Sequence, residues 1–115
     1  MDKREKEYEV IITSTAERSY FQILDYVFEH YSELRANEIA LELLEFPQSL
    51  KKYPFRGKIE ELLLNRAYEY RFLLFERNNH TMVKIIYFIE ESQHKVYITD
   101  FFPSEMNPKK IKKRS

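Results

Sequence analysis

The residues best suited to chemistry are the cations near the C-terminus of the chain. Residues 105–115 carry five basic side chains and one acidic one, a net charge of +4, while the other 104 residues carry a net charge of −4. Clustered lysine and arginine gain affinity for nucleic acid by releasing counterions from phosphates. The segment is therefore either a nucleic-acid contact or a solvated basic end. The candidate nucleic-acid-binding residues are Lys109, Lys110, Lys112 and Lys113, together with Arg56 beside the single glycine, Gly57.

Groups for acid–base chemistry are few and dispersed. Histidine titrates near neutral pH, and the chain has His30, His80 and His94. They fall at a predicted helix end and in two predicted turns, which is not the spacing of a metal site, so we expect no metal. Asp100 interrupts an apolar strand, where it either accepts from a backbone amide or pairs with a lysine. Tyr87 could donate a proton or stack on a base, but a contact in the core or with a partner is the simpler interpretation.

Composition excludes several kinds of site. The 115 residues contain no cysteine, which excludes disulfides, zinc–thiolate sites and cysteine nucleophiles. One glycine excludes glycine-rich phosphate loops. No apolar run approaches the ~18 residues of a membrane helix, and the charged N-terminus lacks a signal-peptide core. We therefore expect a cytoplasmic protein with no membrane contact and no small-molecule cofactor, built as one domain over 1–115 with a basic tail over 105–115.

The hydrophobic pattern predicts a strand, two helices and three further strands. The first strand covers 8–13, and Ser14 with Glu17 has the pattern of a capping box at the start of a helix. That helix ends near Tyr31, and a second one covers about 33–46 until Pro47 interrupts it. Gly57 lies in a loop, where it could adopt a positive φ angle. Residues 58–67 are ambiguous between a short strand and a helical turn.

The last three predicted strands cover 69–77, 82–90 and 95–102 and are separated by polar turns, which is typical of an antiparallel meander. Together the segments predict an α+β fold, a β-α-α-β-β-β two-layer sandwich whose antiparallel sheet carries a two-helix hairpin on one face. The strands over 69–77 and 82–90 contain runs of consecutive apolar residues, 72–75 and 85–89, so both of their faces carry apolar side chains. Since helices cover only one face, the other is shielded by its own long side chains or covered by a partner, and we favour a partner.

The order and spacing of these segments resemble the RelE/ParE superfamily of type II toxin–antitoxin toxins. The resemblance spans about residues 8–111. It rests on YEVIITSTAERSYFQILDYV, on LKKYPFRG, on the strands YRFLLFE, VKIIYFIEE and KVYITDFF, and on the closing NPKK. Proteins of this superfamily are small, bacterial and cytoplasmic, and each is held by a cognate antitoxin that wraps around it. The resemblance therefore implies an antitoxin as the partner of the second sheet face.

Within the superfamily, the RelE-like branch cleaves mRNA, usually on the ribosome, and the ParE-like branch inhibits DNA gyrase without nuclease activity. The resemblance places Arg71 where RelE-like toxins have a strand lysine and Lys84 where they have a second-strand arginine. With Tyr87, these are the candidate catalytic residues, and the role requires both cations on one sheet face. RelE-like toxins also have an arginine after the last strand and a tyrosine near the C-terminus. Here the segment 103–106 stands at the arginine position, and no tyrosine follows Phe102.

A second alignment matches Tyr70 and Arg71 to the second-strand tyrosine and arginine of RelE-like toxins. It then places Leu62 and Leu64 where those toxins have strand lysines. Neither alignment supplies all the catalytic residues of a RelE-like nuclease. We therefore predict a toxin component of a type II toxin–antitoxin system and leave its mechanism open. It is either a ribosome-dependent mRNA endoribonuclease or a ParE-like gyrase inhibitor. A non-catalytic interaction domain is the alternative outside both branches.

Overall fold

A computed structural model describes residues 6–78 and 81–114, so the predicted turn residues Asn79 and His80 lie outside the described residues. The chain forms an α+β fold with two helices packed on a five-stranded sheet. In chain order its elements are β1 (Glu9–Ile12), α1 (Ser14–His30), α2 (Glu33–Glu45), β2 (Lys58–Ile59), β3 (Tyr70–Glu76), β4 (Met82–Glu90), β5 (Lys95–Pro103) and α3 (Lys110–Arg114). Short 3₁₀ turns at Phe46–Lys51, Pro54–Arg56, Glu61–Leu63 and Glu91–Gln93 join them. The ambiguous segment 58–67 thus contains a two-residue strand followed by a 3₁₀ turn. No helix in the described part of the chain has the length and apolar character needed to cross a membrane.

Side-chain caps fix where the two long helices begin. The hydroxyl of Thr13 accepts from the Ala16 amide at 3.2 Å, so Thr13 is the N-cap of α1 and the predicted capping box at Ser14 is wrong by one residue. Ser32 caps α2 in the same way, accepting from the Arg35 amide at 3.2 Å. The helices form the predicted hairpin, and the Tyr20 hydroxyl ties them together by donating to the Ala40 carbonyl at 2.8 Å.

The sheet is mixed, with strand order β1-β5-β4-β3-β2. The antiparallel meander of β3, β4 and β5 is confirmed. The prediction of a wholly antiparallel sheet is wrong, because β1 pairs with β5 in parallel, with Glu9 opposite Lys95 and Ile12 opposite Ile98. The apolar pattern of a strand is the same in either orientation, so sequence periodicity could not reveal this direction.

The helix face of the sheet carries the main core. Its buried strand residues contact the helix stripes in one cluster; on β3 to β5 they are Leu73, Phe75, Val83, Ile85, Tyr87, Val96, Ile98 and Phe101, and on the helices Ala16, Ile23, Val27, Ala36, Ile39 and Leu43. Residues directly opposite each other on paired strands share a face. The opposite, or second, face therefore carries Phe72, Lys84, Ile86 and Phe88.

The second face is covered over one half by the chain itself. Ile86 and Phe102 pack there against Leu63 from a 3₁₀ turn and against Ile111 from α3, and all four side chains are buried. The expectation of an uncovered second face is therefore wrong over this half. The basic tail is docked there through Ile111, while its lysines are exposed. Residues far along the chain from a strand can fold back and cover its face, and the periodicity of the strand sequence gives no sign of this.

Candidate functional site

Arg71 and Tyr87 lie next to each other on the helix face. They are directly opposite across β3 and β4. The Arg71 guanidinium donates to the Gly57 carbonyl at 2.9 Å and to the Glu69 carboxylate at 3.0 Å, and it lies 5.3 Å from the centre of the Phe55 ring. Its positive charge is therefore neutralised and its donors hold the 55–57 loop.

The Tyr87 hydroxyl forms both of its hydrogen bonds with backbone groups of the protein. It donates to the Pro54 carbonyl at 2.7 Å and accepts from the Gly57 amide at 3.0 Å, and the side chain is fully buried. Burial raises the pKa of Tyr87, although the hydrogen bond from the Gly57 amide and the charges of Arg71 and Arg56 partly oppose the shift. A buried hydroxyl with two partners and a raised pKa is a poor proton donor for an external substrate.

The single glycine is required for space rather than for backbone conformation. Gly57 has φ −75°, so the predicted positive φ angle is wrong. A Cβ atom here would lie 2.5 Å from the Tyr87 hydroxyl oxygen and 2.8 Å from the Phe72 carbonyl oxygen. Only glycine lets the loop approach closely enough for its amide to reach Tyr87.

We expect the Tyr87→Phe variant to lose about 1–3 kcal/mol of unfolding free energy at neutral pH, because a buried amide and a buried carbonyl lose their partner. The stability of the wild type should fall as pH rises through 10.0, the ordinary tyrosine pKa, since the unfolded chain loses its proton there while folded Tyr87 still holds its own. The decline should be shallower in Tyr87→Phe. Urea denaturation between neutral and alkaline pH measures both effects.

The control for this measurement is Tyr53→Phe, because the Tyr53 side chain is mostly exposed. It should match the stability of the wild type at neutral pH. Equal pH dependence in the Tyr87→Phe variant and the wild type would contradict the buried, raised-pKa assignment.

Lys84 lies on the second face, on the other side of the sheet from Arg71 and Tyr87. It is directly opposite Leu74, whereas Arg71 is opposite Tyr87, and neighbouring strand positions alternate between faces. Its ammonium group is 2.7 Å from the Glu60 carboxylate and 4.4 Å from the centre of the Phe72 ring. The condition that Arg71 and Lys84 share a face is not met, so the three candidate catalytic residues do not form one site.

The candidate nucleic-acid contacts are divided between two places. Arg56 donates to the Ser49 hydroxyl and lies over the Phe46 ring, near the sheet edge formed by β2. The lysines of the tail, Lys109, Lys110, Lys112 and Lys113, are exposed around α3, and Ile111 between them is buried. Arg66 anchors this helix by donating to the Lys112 carbonyl at 2.7 Å. The tail is therefore packed against the domain, and its lysine side chains point to solvent.

Asp100 has a structural partner that the sequence did not identify. Its Oδ1 lies 2.6 Å from the Arg114 guanidinium, which also donates to the Ser19 hydroxyl at 2.8 Å. The Asp100 carboxylate is 1% exposed. A lysine or an amide was expected as the partner, and an arginine at the end of the chain serves instead. The only available signal was the isolated acid within an apolar strand.

His30 and His94 each stack on a tyrosine ring, at different places in the fold. His30 stacks on Tyr26 and its Nδ1 is 2.9 Å from the Tyr26 carbonyl, one turn away in α1. His94 takes a left-handed conformation, φ 59°, in the turn before β5 and stacks on Tyr8. Among residues 6–78 and 81–114, no three histidine or carboxylate side chains are grouped to hold a metal ion.

The open half of the second face carries an aromatic cluster formed by Tyr68, Tyr70, Phe88 and Tyr97. Phe88 lies opposite Tyr70 on β3 and opposite Tyr97 on β5. The rings of Tyr68 and Phe88 stack at 4.0 Å between centroids, and those of Phe88 and Tyr97 at 5.2 Å. All four side chains remain partly or largely exposed. The cluster is therefore a partly exposed aromatic surface, of a kind suited to contact with another protein.

No family model matches the sequence, and no curated protein matches it.

Proposed function

We propose that this chain is the toxin component of a type II toxin–antitoxin system, of the RelE/ParE kind, and that it acts by binding a protein target rather than by cleaving RNA. The proposal takes its family from the order of the sequence segments. The observation that supports a binding mechanism is the engagement of Tyr87 and Lys84 with internal partners on opposite faces of the sheet.

RNA cleavage of the RelE type requires cations and a proton donor around one phosphate. Here Arg71 is paired with Glu69 and Lys84 with Glu60. Glu105 lies in the segment where the pattern has an arginine, and it forms an ion pair with Arg77. Neutralised cations on two faces give little stabilisation to a developing negative charge. This favours the ParE-like alternative, in which DNA gyrase is the target, over a ribosome-dependent mRNA endoribonuclease.

The aromatic cluster supports the partner half of the proposal. A partly exposed group of four aromatic side chains on a sheet is the type of surface that protein partners cover, since aromatic residues supply much of the binding energy at interfaces. A cognate antitoxin lying across this half of the second face would complete its burial. The same proposal places the protein in the cytoplasm, because DNA gyrase and an antitoxin are both located there.

Inducible expression in bacteria tests the mechanism. We expect induction to arrest growth with filamentation while transcripts stay intact, and the purified protein to inhibit supercoiling by gyrase. A small reading frame that encodes the antitoxin should lie next to this gene. Its co-expression should prevent the arrest, and Phe88→Ser should weaken that protection. Phe28→Ser is the matched control, since Phe28 is exposed on α1.

Two results would contradict this proposal. Cleavage of transcripts on induction would establish the endoribonuclease instead. Absence of any growth arrest from a folded, well-expressed protein would favour a non-catalytic interaction domain.

A further inference from the structure

A basic cleft runs between α1 and the C-terminal segment. It has a volume of about 470 Å³ and is lined by Thr15, Arg18, Ser19, Gln22, Lys113 and Arg114. All six side chains can donate hydrogen bonds and none is a carboxylate. The chain as a whole has a net charge of zero, but Arg18 and Lys113 line this cleft without any carboxylate among its lining residues, so its local potential is positive.

Two of the three cations in this cleft are not neutralised. Arg18 and Lys113 are exposed, and neither forms an ion pair within the described part of the chain. The guanidinium of Arg114, in contrast, is paired with Asp100. Two free cations therefore come together from distant parts of the sequence, and the exposed lysines of α3 continue the positive surface beyond the cleft.

An apolar cavity adjoins the basic cleft. It has a volume of about 180 Å³. Ile23, Tyr26, Pro103 and Met106 contribute its apolar walls, and the ion-paired side chains of Arg77 and Glu105 also line it. Ser19, Gln22 and Arg114 line both the cavity and the basic cleft. A ligand that fills both places must carry an anionic group next to a compact, largely apolar group.

We propose that the cleft and the cavity together bind single-stranded nucleic acid, with a backbone phosphate at Arg18 and Lys113 and one base in the apolar cavity. A nucleotide unit places a phosphate close to a flat base, as the two adjoining spaces require. The strand must be single, because the bases of a duplex are paired and stacked and cannot enter a cavity. The lysines along α3 suit a polymer with repeated charges better than a single phosphate. This inference is independent of the proposed toxin function.

Fluorescence anisotropy with labelled decamers of uridine and of thymidine tests the site on the purified full chain. We expect both to bind with strong salt dependence, and Arg18→Ala with Lys113→Ala to weaken binding about tenfold at low salt and to reduce the slope of log affinity against log salt by roughly 0.7 per lost phosphate contact. Lys58→Ala is the matched charge control, since Lys58 is exposed on β2 at the far edge of the sheet. It should bind like the wild type.

A separate pair of variants tests whether a base binds in the apolar cavity. Tyr26 and Phe28 are both on α1 and are 43% and 45% exposed, but only Tyr26 lines the cavity. Tyr26→Ala should weaken binding of the decamers severalfold, and Phe28→Ala should not. A preference for uridine or thymidine decamers would identify the polymer as RNA or DNA and would support the site in either case.

Several outcomes would overturn the inference. One is equal affinity of the Arg18/Lys113 double variant and Lys58→Ala. Another is competition by inorganic polyphosphate as effective as that by the unlabelled decamers, since that would remove any role for the base. The measurement uses purified protein and no growth readout, so it can fail while the toxin proposal stands, and the reverse is also true.

Discussion

Replacing Arg114 with alanine should lower the free energy of unfolding by about 3–5 kcal/mol, the cost of breaking a buried ion pair by removing one partner. The Asp100 carboxylate is 1% exposed and its Oδ1 lies 2.6 Å from the arginine. Its Oδ2 is buried and has no hydrogen-bond partner in the described structure. Without Arg114 the whole carboxylate would be buried without a counter-charge. Against a total stability of about 5–15 kcal/mol for a domain, this is a large loss.

Urea denaturation of paired variants measures this effect. Lys112→Ala is the control, because Lys112 is an exposed cation two residues away, and it should stay within about 0.5 kcal/mol of the wild type. Adding Asp100→Asn to Arg114→Ala should recover part of the loss, since an amide is less costly to bury than a charge. If Arg114→Ala were as stable as Lys112→Ala, the C-terminal helix would not be docked as described.

Replacing Lys84 with alanine should lower the free energy of unfolding by about 2–3 kcal/mol. The Glu60 carboxylate is 3% exposed and lies 2.7 Å from the Lys84 ammonium, so the variant leaves a buried charge without its partner. The expected loss is below the full range for buried pairs because a quarter of the lysine side chain is exposed. This result would give Lys84 a structural role that accounts for its position without catalysis.

The Glu60→Gln substitution separates the structural from the catalytic role of Lys84. Glu60→Gln with Lys84→Met should be more stable than Lys84→Ala, because no unpaired charge remains. Under the proposed toxin function, growth arrest on induction should follow protein stability across these variants. A Lys84→Ala protein with wild-type stability but no toxicity would contradict the structural assignment and return Lys84 to the candidate catalytic residues.

The candidate catalytic set shows how far sequence reasoning can reach. Alternation within a strand indicates that Arg71 and Leu73 share a face, and that Lys84 and Ile86 share one. It does not indicate how the two strands are aligned, and a shift of one residue would place Arg71 and Lys84 together. The observed register pairs Arg71 with Tyr87 and Leu74 with Lys84. Backbone pairing between strands therefore decided the separation of the two cations.

The basic tail shows the opposite limit. Its charge was evident from the sequence, and so was its capacity to meet phosphates. The role of each residue was not evident. Ile111 is buried against Leu63 and Phe102. Arg114 forms an ion pair with Asp100, whereas Lys113 forms none and lines the same cleft as Arg18. One run of similar residues thus divides into anchors and free charges, depending on what lies under each.

The sequence by itself determined the main elements of this protein, namely a strand, two helices, a loop at the only glycine and three strands in a meander. These follow from side-chain periodicity, proline and turn residues, which act over a few neighbouring positions. Only the tertiary structure decided the parallel pairing of β1, the second-face cover from α3, the steric need for Gly57 and the meeting of Arg18 with Lys113. Each of these joins residues far apart in the chain, and such contacts depend on how whole elements pack, which no local pattern encodes.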